Sequence, residues 1–146
     1  MSNFKFKLQK LLDIRINEEE ESKLFYSQAQ NRKNLVENKL KELENNYIKY
    51  SDISRAKDTV SQKIAMNYLS HLNTTIKDTE KELEAKEVEL EKAKKDFIEK
   101  RINRKSLEVL KENKMLEMKK EEERLEQISN DEFALYSYIR KASNLQ

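Results

Sequence analysis

The sequence contains no glycine, proline, cysteine or tryptophan, and a single histidine. Each absence removes a class of protein. Without glycine there is no phosphate-cradling loop of the Walker or dinucleotide-binding type. Without glycine or proline the tight turns between strands lose their usual residues, which argues against a β-rich fold. Without cysteine there are no disulfides and no thiolate metal sites, a composition that fits a reducing compartment. With His71 as the one histidine, neither a histidine-based triad nor a multi-histidine metal centre can be built within one chain. Long apolar runs are missing too. Nothing approaches the ~20 residues of a membrane span, and Met1–Lys10 alternates Phe and Lys with no run of signal-peptide length. The expectation is a cytoplasmic chain that does not insert directly into a membrane.

What is present is charge. Of 146 residues, 40% are charged and 36% hydrophobic, and the mean hydropathy is −1.01. A central globular core needs more apolar residues than this, whereas a pair of helices buries only the seam between them. The 30 basic and 28 acidic residues leave a net charge of +2 and are interspersed. That is not the one-sided field of a nucleic-acid binder. The densest basic stretch, Lys94–Lys114, is diluted by Asp96, Glu99, Glu108 and Glu112, so no nucleic-acid partner is expected. Carboxylates on a helical surface have no pocket to shift their pKa. The expectation is no catalytic residue, no metal and no cofactor; the chain reads as a non-enzyme.

The periodicity is that of a coiled coil. From Leu72 through Ile76, Thr79, Leu83, Lys86, Leu90, Ala93 and Phe97 the spacing alternates four and three. It continues in phase through Lys100, Arg104, Leu107, Lys111, Lys114, Met118, Glu121, Leu125, Ile128, Glu132, Leu135, Ile139 and Ala142. Such a helix presents one narrow seam, and a narrow seam requires a partner helix. The first half supplies one, with the same spacing from Leu8 through Leu12, Arg15, Glu19, Ser22, Tyr26, Ala29, Lys33, Val36, Leu40, Leu43 and Tyr47 to Tyr50. The predicted fold is all-α: an antiparallel two-helix coiled coil, a long α-hairpin whose second helix is the longer. It forms a single coiled-coil domain over 1–146, with helix one at about 3–50, a turn at about 51–60 and helix two at about 61–142.

Ser2 or Asn3 is the expected cap of helix one, and Asp58, Thr59 or Ser61 that of helix two. The turn is placed where Ser51, Asp52, Ser54, Asp58 and Thr59 compete locally with the helical backbone. A turn at Asn73–Thr75 is the rival. A register that sets Phe4, Phe6, Leu8, Leu11 and Leu12 against Phe97–Leu110 brings two apolar-rich stretches together. Glu–Lys pairs four apart (Glu19/Lys23, Glu37/Lys41, Glu82/Lys86, Glu91/Lys95) support the helices. The acidic run Glu18–Glu21 reads either as a solvated face or as a docking site for a basic partner. Phe133, Tyr136 and Tyr138 cannot share one seam with Leu135 and Ile139. They pack on helix one or on another copy, or they form a binding surface.

The stretch Glu126-Gln127-Ile128-Ser129-Asn130-Asp131-Glu132-Phe133-Ala134 resembles the C-terminal signature of the FliJ family, small coiled-coil proteins of the flagellar type III export apparatus. The opening Phe4–Arg15, the pair Asn67-Tyr68 and the stretch Lys105–Leu110 are similar to other parts of that family, in the same order. The resemblance implies a non-catalytic hairpin like the stalk subunit of rotary ATPases. Its implied partners are the flagellar export ATPase hexamer, the membrane protein of the export gate and the export chaperones, which places it peripherally at the cytoplasmic face of the inner membrane. For the ATPase ring it implies contacts by Phe4, Phe6, Leu8, Asp131, Phe133, Leu135 and Tyr136. For the gate it implies Tyr68, His71, Leu72 and Thr75, although His71 and Thr75 stand where bulky apolar residues are common in the family. The alternatives are a homo-oligomeric structural coiled coil and an export chaperone with no ATPase role.

Overall fold

The structure, a computed structural model, describes residues 3–53 and 58–145. Two helices, α1 (Gln9–Ile53) and α2 (Thr59–Asn144), pack against each other as an antiparallel hairpin. Among the described residues there is no strand. At 86 residues against 45, the second helix is the longer. It runs unbroken through Asn73–Thr75, so no turn lies there. Part of the stretch expected to hold the turn, residues 54–57, lies outside the described residues, as does Ser2.

The helix starts differ in quality. Asp58 caps α2: its Oδ1 accepts the backbone N–H of Val60 at 3.4 Å, and its carbonyl accepts that of Gln62 at 2.9 Å. This satisfies donors that a helix start leaves open. The first helix does not begin at Asn3. Residues 3–6 are non-helical, 7–8 form a turn, and α1 starts at Gln9. The reason is in the sequence. Phe4 and Phe6 are half-buried while Lys5 and Lys7 are exposed, a period-two alternation that suits extended backbone. The first turn of α1 contains no acid to favour the helix dipole. The start is held by Gln9 N–H to the Phe6 carbonyl at 3.1 Å and by Gln9 Nε2 to Asp13 Oδ1 at 2.9 Å.

The chain divides into two compact units. In the unit Asn17–Arg101 the seam is the one the spacing predicts, except that Tyr47 is exposed. Ser22, Ala29, Val36, Leu72 and Thr79 are buried, and Tyr26, Lys33, Leu40, Leu43, Ile76, Leu83, Lys86, Leu90, Ala93, Phe97 and Lys100 are half-buried. Tyr26 stacks on Phe97 across the pair, and Tyr50 meets Tyr68 edge to face with centroids 4.8 Å apart. Two buried seam residues carry hydroxyls. Each is satisfied by its own helix: Ser22 Oγ donates to the Glu19 carbonyl at 2.8 Å, and Thr79 Oγ1 donates to the Thr75 carbonyl at 2.7 Å.

The register meets the expected one only at the end of its stretch. Phe97 faces Tyr26 rather than the N-terminal cluster, and Phe4, Phe6 and Leu8 lie near Leu110, Lys114 and Met115. The shift is roughly two helical turns. Lys100, which would have spoiled an apolar pairing, shares a groove with Glu18 and Glu21. The acidic run therefore lies beside a basic seam residue of its own chain. Side-chain ion pairs follow the same register. Lys39 reaches Glu82 at 3.9 Å and Arg32 reaches Glu89 at 3.9 Å. Of the expected pairs four apart, Glu37–Lys41 forms at 3.7 Å. Glu82 instead crosses to the other helix, and Lys86 takes Glu89 at 3.5 Å.

The other unit joins Met1–Ile16 to Ile102–Gln146. Leu12 and Leu107 are its buried residues, with Arg15, Ile16, Arg104 and Lys111 half-buried. Arg104 Nη1 bonds Glu108 Oε2 at 2.6 Å along the helix, which leaves its aliphatic stem to cover the seam. Met118 is the last half-buried residue, and every described residue from 119 to 145 is exposed.

Candidate partner-binding surfaces

Three surfaces contain the residues that the sequence singles out. The first is the exposed end of α2. Its seam phase continues through Leu125, Ile128, Leu135 and Ile139, but nothing among the described residues covers it. Phe133 and Tyr136 are 77% and 74% exposed, and they share a face with Ser129, Ser137 and Arg140. Leu135 lies on the seam side, away from that face. Over 133–139 only Ser137 is neither apolar nor aromatic, so apolar side chains point to most sides of the helix there. A helix of this kind belongs in an environment that surrounds it.

Charged residues frame this segment. Asp131 Oδ1 accepts Gln127 Nε2 at 3.1 Å, and Asp131 with Glu132 precedes the apolar stretch while Arg140 and Lys141 follow it. Nearer the seam, Arg124 forms a two-point contact with Glu121. Nη2 meets Oε1 at 2.6 Å and Nε meets Oε2 at 3.1 Å. The hydrogen bond from Arg124 holds the Glu121 carboxyl below the usual carboxylate range, and the same bond raises Arg124 above its ordinary value. Both are fully exposed, so the pair orders the helix surface rather than a core.

The second surface is the N-terminal strap, residues 3–8. Phe4, Phe6 and Leu8 approach Leu110 and Lys114 of α2, and the strap continues past Lys111 and Met115. The sequence identifies Phe4, Phe6 and Leu8 as surface candidates. Leu110 ends the apolar stretch expected to face the N-terminal cluster, whereas Met115 lies beyond that stretch and off the four-three seam.

The third surface is early in α2. Tyr68 is 39% exposed and fixed against Tyr50, whose ring carries Lys49 Nζ at 5.9 Å from its centroid. His71 is exposed. Thr75 is half-buried and donates Oγ1 to the His71 carbonyl at 3.0 Å. Leu72 is only 4% exposed and lies in the seam. The structure thus brings Tyr68, His71 and Thr75 to one outer region, with Leu72 beneath them holding the helices together.

None of these surfaces has the chemistry of a metal site. Among the described residues there is no group of three or more His, Asp or Glu that would hold a metal ion. No helix is long and apolar enough to cross a membrane.

The family model described as "Flagellar FliJ protein" matches residues 4–143. Neither the curated proteins nor the solved structures give a match. The matched span takes in all three surfaces and both helices, so the chain belongs to the FliJ family, and with it to flagellar protein export.

Proposed function

We propose that this chain is a non-catalytic component of the flagellar type III export apparatus that binds the export ATPase ring, promotes its assembly and activity, and couples it to the membrane export gate. The observation that supports the ring contact best is the end of α2. Six of the seven residues 133–139 are apolar or aromatic, and no described residue covers this stretch of the helix. A flat surface would cover one face of such a helix; the lumen of a hexamer covers all of it. Phe133, Leu135 and Tyr136 are the anchors in this reading. Asp131 sets the polar edge, and Phe4, Phe6 and Leu8 add a second contact from the strap.

The gate contact falls to Tyr68, His71 and Thr75, with Leu72 shaping the surface from below. Export chaperones are further partners in this reading, which places the chain at the cytoplasmic face of the inner membrane. The test is ring binding by variants. Phe133→Ser with Tyr136→Ser weakens binding to the purified ATPase by about tenfold or more if these are anchors. Unchanged affinity removes the end of α2 from the ring contact.

A second reading has its own observation. The uncovered seam Leu125, Ile128, Leu135 and Ile139 keeps the four-three spacing that pairs helices elsewhere in the chain. Self-association through it makes a homo-oligomer, and a sedimentation mass that rises with concentration is its signature.

A further inference from the structure

We propose that the groove between the N-terminal strap and α2 is a docking site for an acidic, amphipathic helical segment of a partner protein. The inference rests on the assignment of Phe4, Phe6 and Leu8 to the ring-binding end, and adds the chemistry of what meets them. The groove is made of two cavities that share Phe4, Lys5, Phe6 and Lys7; Leu8 and Leu110 complete the apolar lining of one, and Met115 that of the other. Its rim is basic. Lys5, Lys7, Lys10, Lys111 and Lys114 line it, and no acidic residue does. Over the whole chain the two signs are nearly balanced, at 30 basic and 28 acidic residues.

The rim charges are available. Lys114 has a partner along its own helix, Glu117 at 3.6 Å, but both side chains are more than half exposed and such a pair exchanges readily. Among the described residues none of Lys5, Lys7, Lys10 and Lys111 takes part in an ion pair. Their charge is therefore uncompensated beside a half-open apolar floor: Leu8 is 40% and Met115 48% exposed.

Those two properties define the occupant. An amphipathic helix presents apolar residues at helical spacing to a groove and its remaining positions to the rim. With five lysines on the rim, those remaining positions are carboxylates. Lysine suits this role, since its flexible stem brings a point charge to whichever carboxylate is near, without the fixed fork geometry of arginine. An anionic lipid surface fits less well. Phe4 and Phe6 are half-buried against α2 rather than turned outward, and a bilayer takes up aromatic residues from a convex, outward face.

The test uses the full-length protein and a fluorescein-labelled helical peptide, with leucine at helical spacing and glutamate at the other positions. A peptide of the same composition in scrambled order and vesicles of phosphatidylcholine with phosphatidylglycerol serve as comparisons. The amphipathic peptide is expected to bind at least about tenfold tighter than the scrambled one. Lys7→Glu with Lys111→Glu should weaken it about tenfold or more, and Phe4→Ala with Phe6→Ala likewise. An unchanged helical circular dichroism signal shows that the variants are folded. Equal binding of the scrambled peptide, no loss in either variant, or a preference for the vesicles overturns the proposal. If the ATPase ring does not bind the chain while the peptide does, the ring assignment falls and the groove stands. If the ring binds the rim variant as well as it binds the unaltered chain, and the peptide does not bind, only the groove falls.

Discussion

Tyr26 of α1 and Phe97 of α2 stack across the hairpin, with ring centroids 6.0 Å apart and planes 11° from parallel. The contact fixes the pairing of the two helices at one point, and the neighbouring ion pairs Arg32–Glu89 and Lys39–Glu82 agree with it. Both rings are half-buried. Either substitution, Tyr26→Ala or Phe97→Ala, should cost about 2 kcal/mol, below the range for a fully buried aromatic. The double variant should show a coupling of about 1 kcal/mol from the ring contact itself. Urea unfolding of the four proteins measures both quantities. Strict additivity would mean that the stack does not set the register.

The hairpin was largely legible in the sequence because a seam is a one-dimensional signal. Leu12, Ala29, Val36, Leu72 and Leu107 are all positions of the four-three spacing, and all are buried. Register was not legible, because a repeating seam offers many pairings of similar apolar content. Of Phe97–Leu110, Leu110 lies by the N-terminal cluster, whereas Phe97 stacks on Tyr26 and Lys100 shares a groove with Glu18 and Glu21. The start of α1 failed for a local reason. Ser2 and Asn3 have the side chains of a helix cap, yet the spacing of two between Phe4 and Phe6 that follows them is that of extended chain. At the candidate site, the chain's own residues marked the aromatic end of α2 and Leu110 as part of the stretch facing the N-terminal cluster, while Met115 became visible only once the strap lay upon it.

Thr79 and Ser22 are the buried polar residues of the seam, 2% and 3% exposed. Their hydroxyls bond only to carbonyls of their own helix, an interaction that slightly disfavours the helix and adds nothing between the helices. Thr79→Val and Ser22→Ala should therefore raise stability, each by about 0.5–1 kcal/mol. Thermal unfolding followed by circular dichroism reads the change. A loss of stability at Thr79→Val would mean that the hydroxyl has a role across the pair.

Every described residue beyond Met118 is exposed. Removing residues 119–146 should leave the urea midpoint of the remaining hairpin almost unchanged, since midpoint and slope follow the surface buried on folding. By contrast Leu12→Ala or Leu72→Ala, at 3% and 4% exposure, should cost about 2–4 kcal/mol. A truncation as damaging as a seam substitution would show that the end of α2 supports the fold.

Arg124 holds the Glu121 carboxyl below its usual range. A depressed folded-state value contributes helix stability above the ordinary carboxylate pKa, and the contribution is lost as pH falls through the depressed value. Because both groups are exposed, the effect is local. NMR signals around 121–124 should lose helical shifts on acidification while those of Leu72 and Val36 do not. Arg124→Ala should return Glu121 to the ordinary carboxylate range. A Glu121 titration unaffected by that substitution contradicts the pairing.

If the uncovered aromatic end of α2 acts on the export ATPase ring, this protein should raise both the steady-state ATP hydrolysis and the hexamer formation of the cognate export ATPase. Phe133→Ser with Tyr136→Ser should then abolish the increase while the hairpin stays folded. No change in hydrolysis or ring formation at saturating protein contradicts that action.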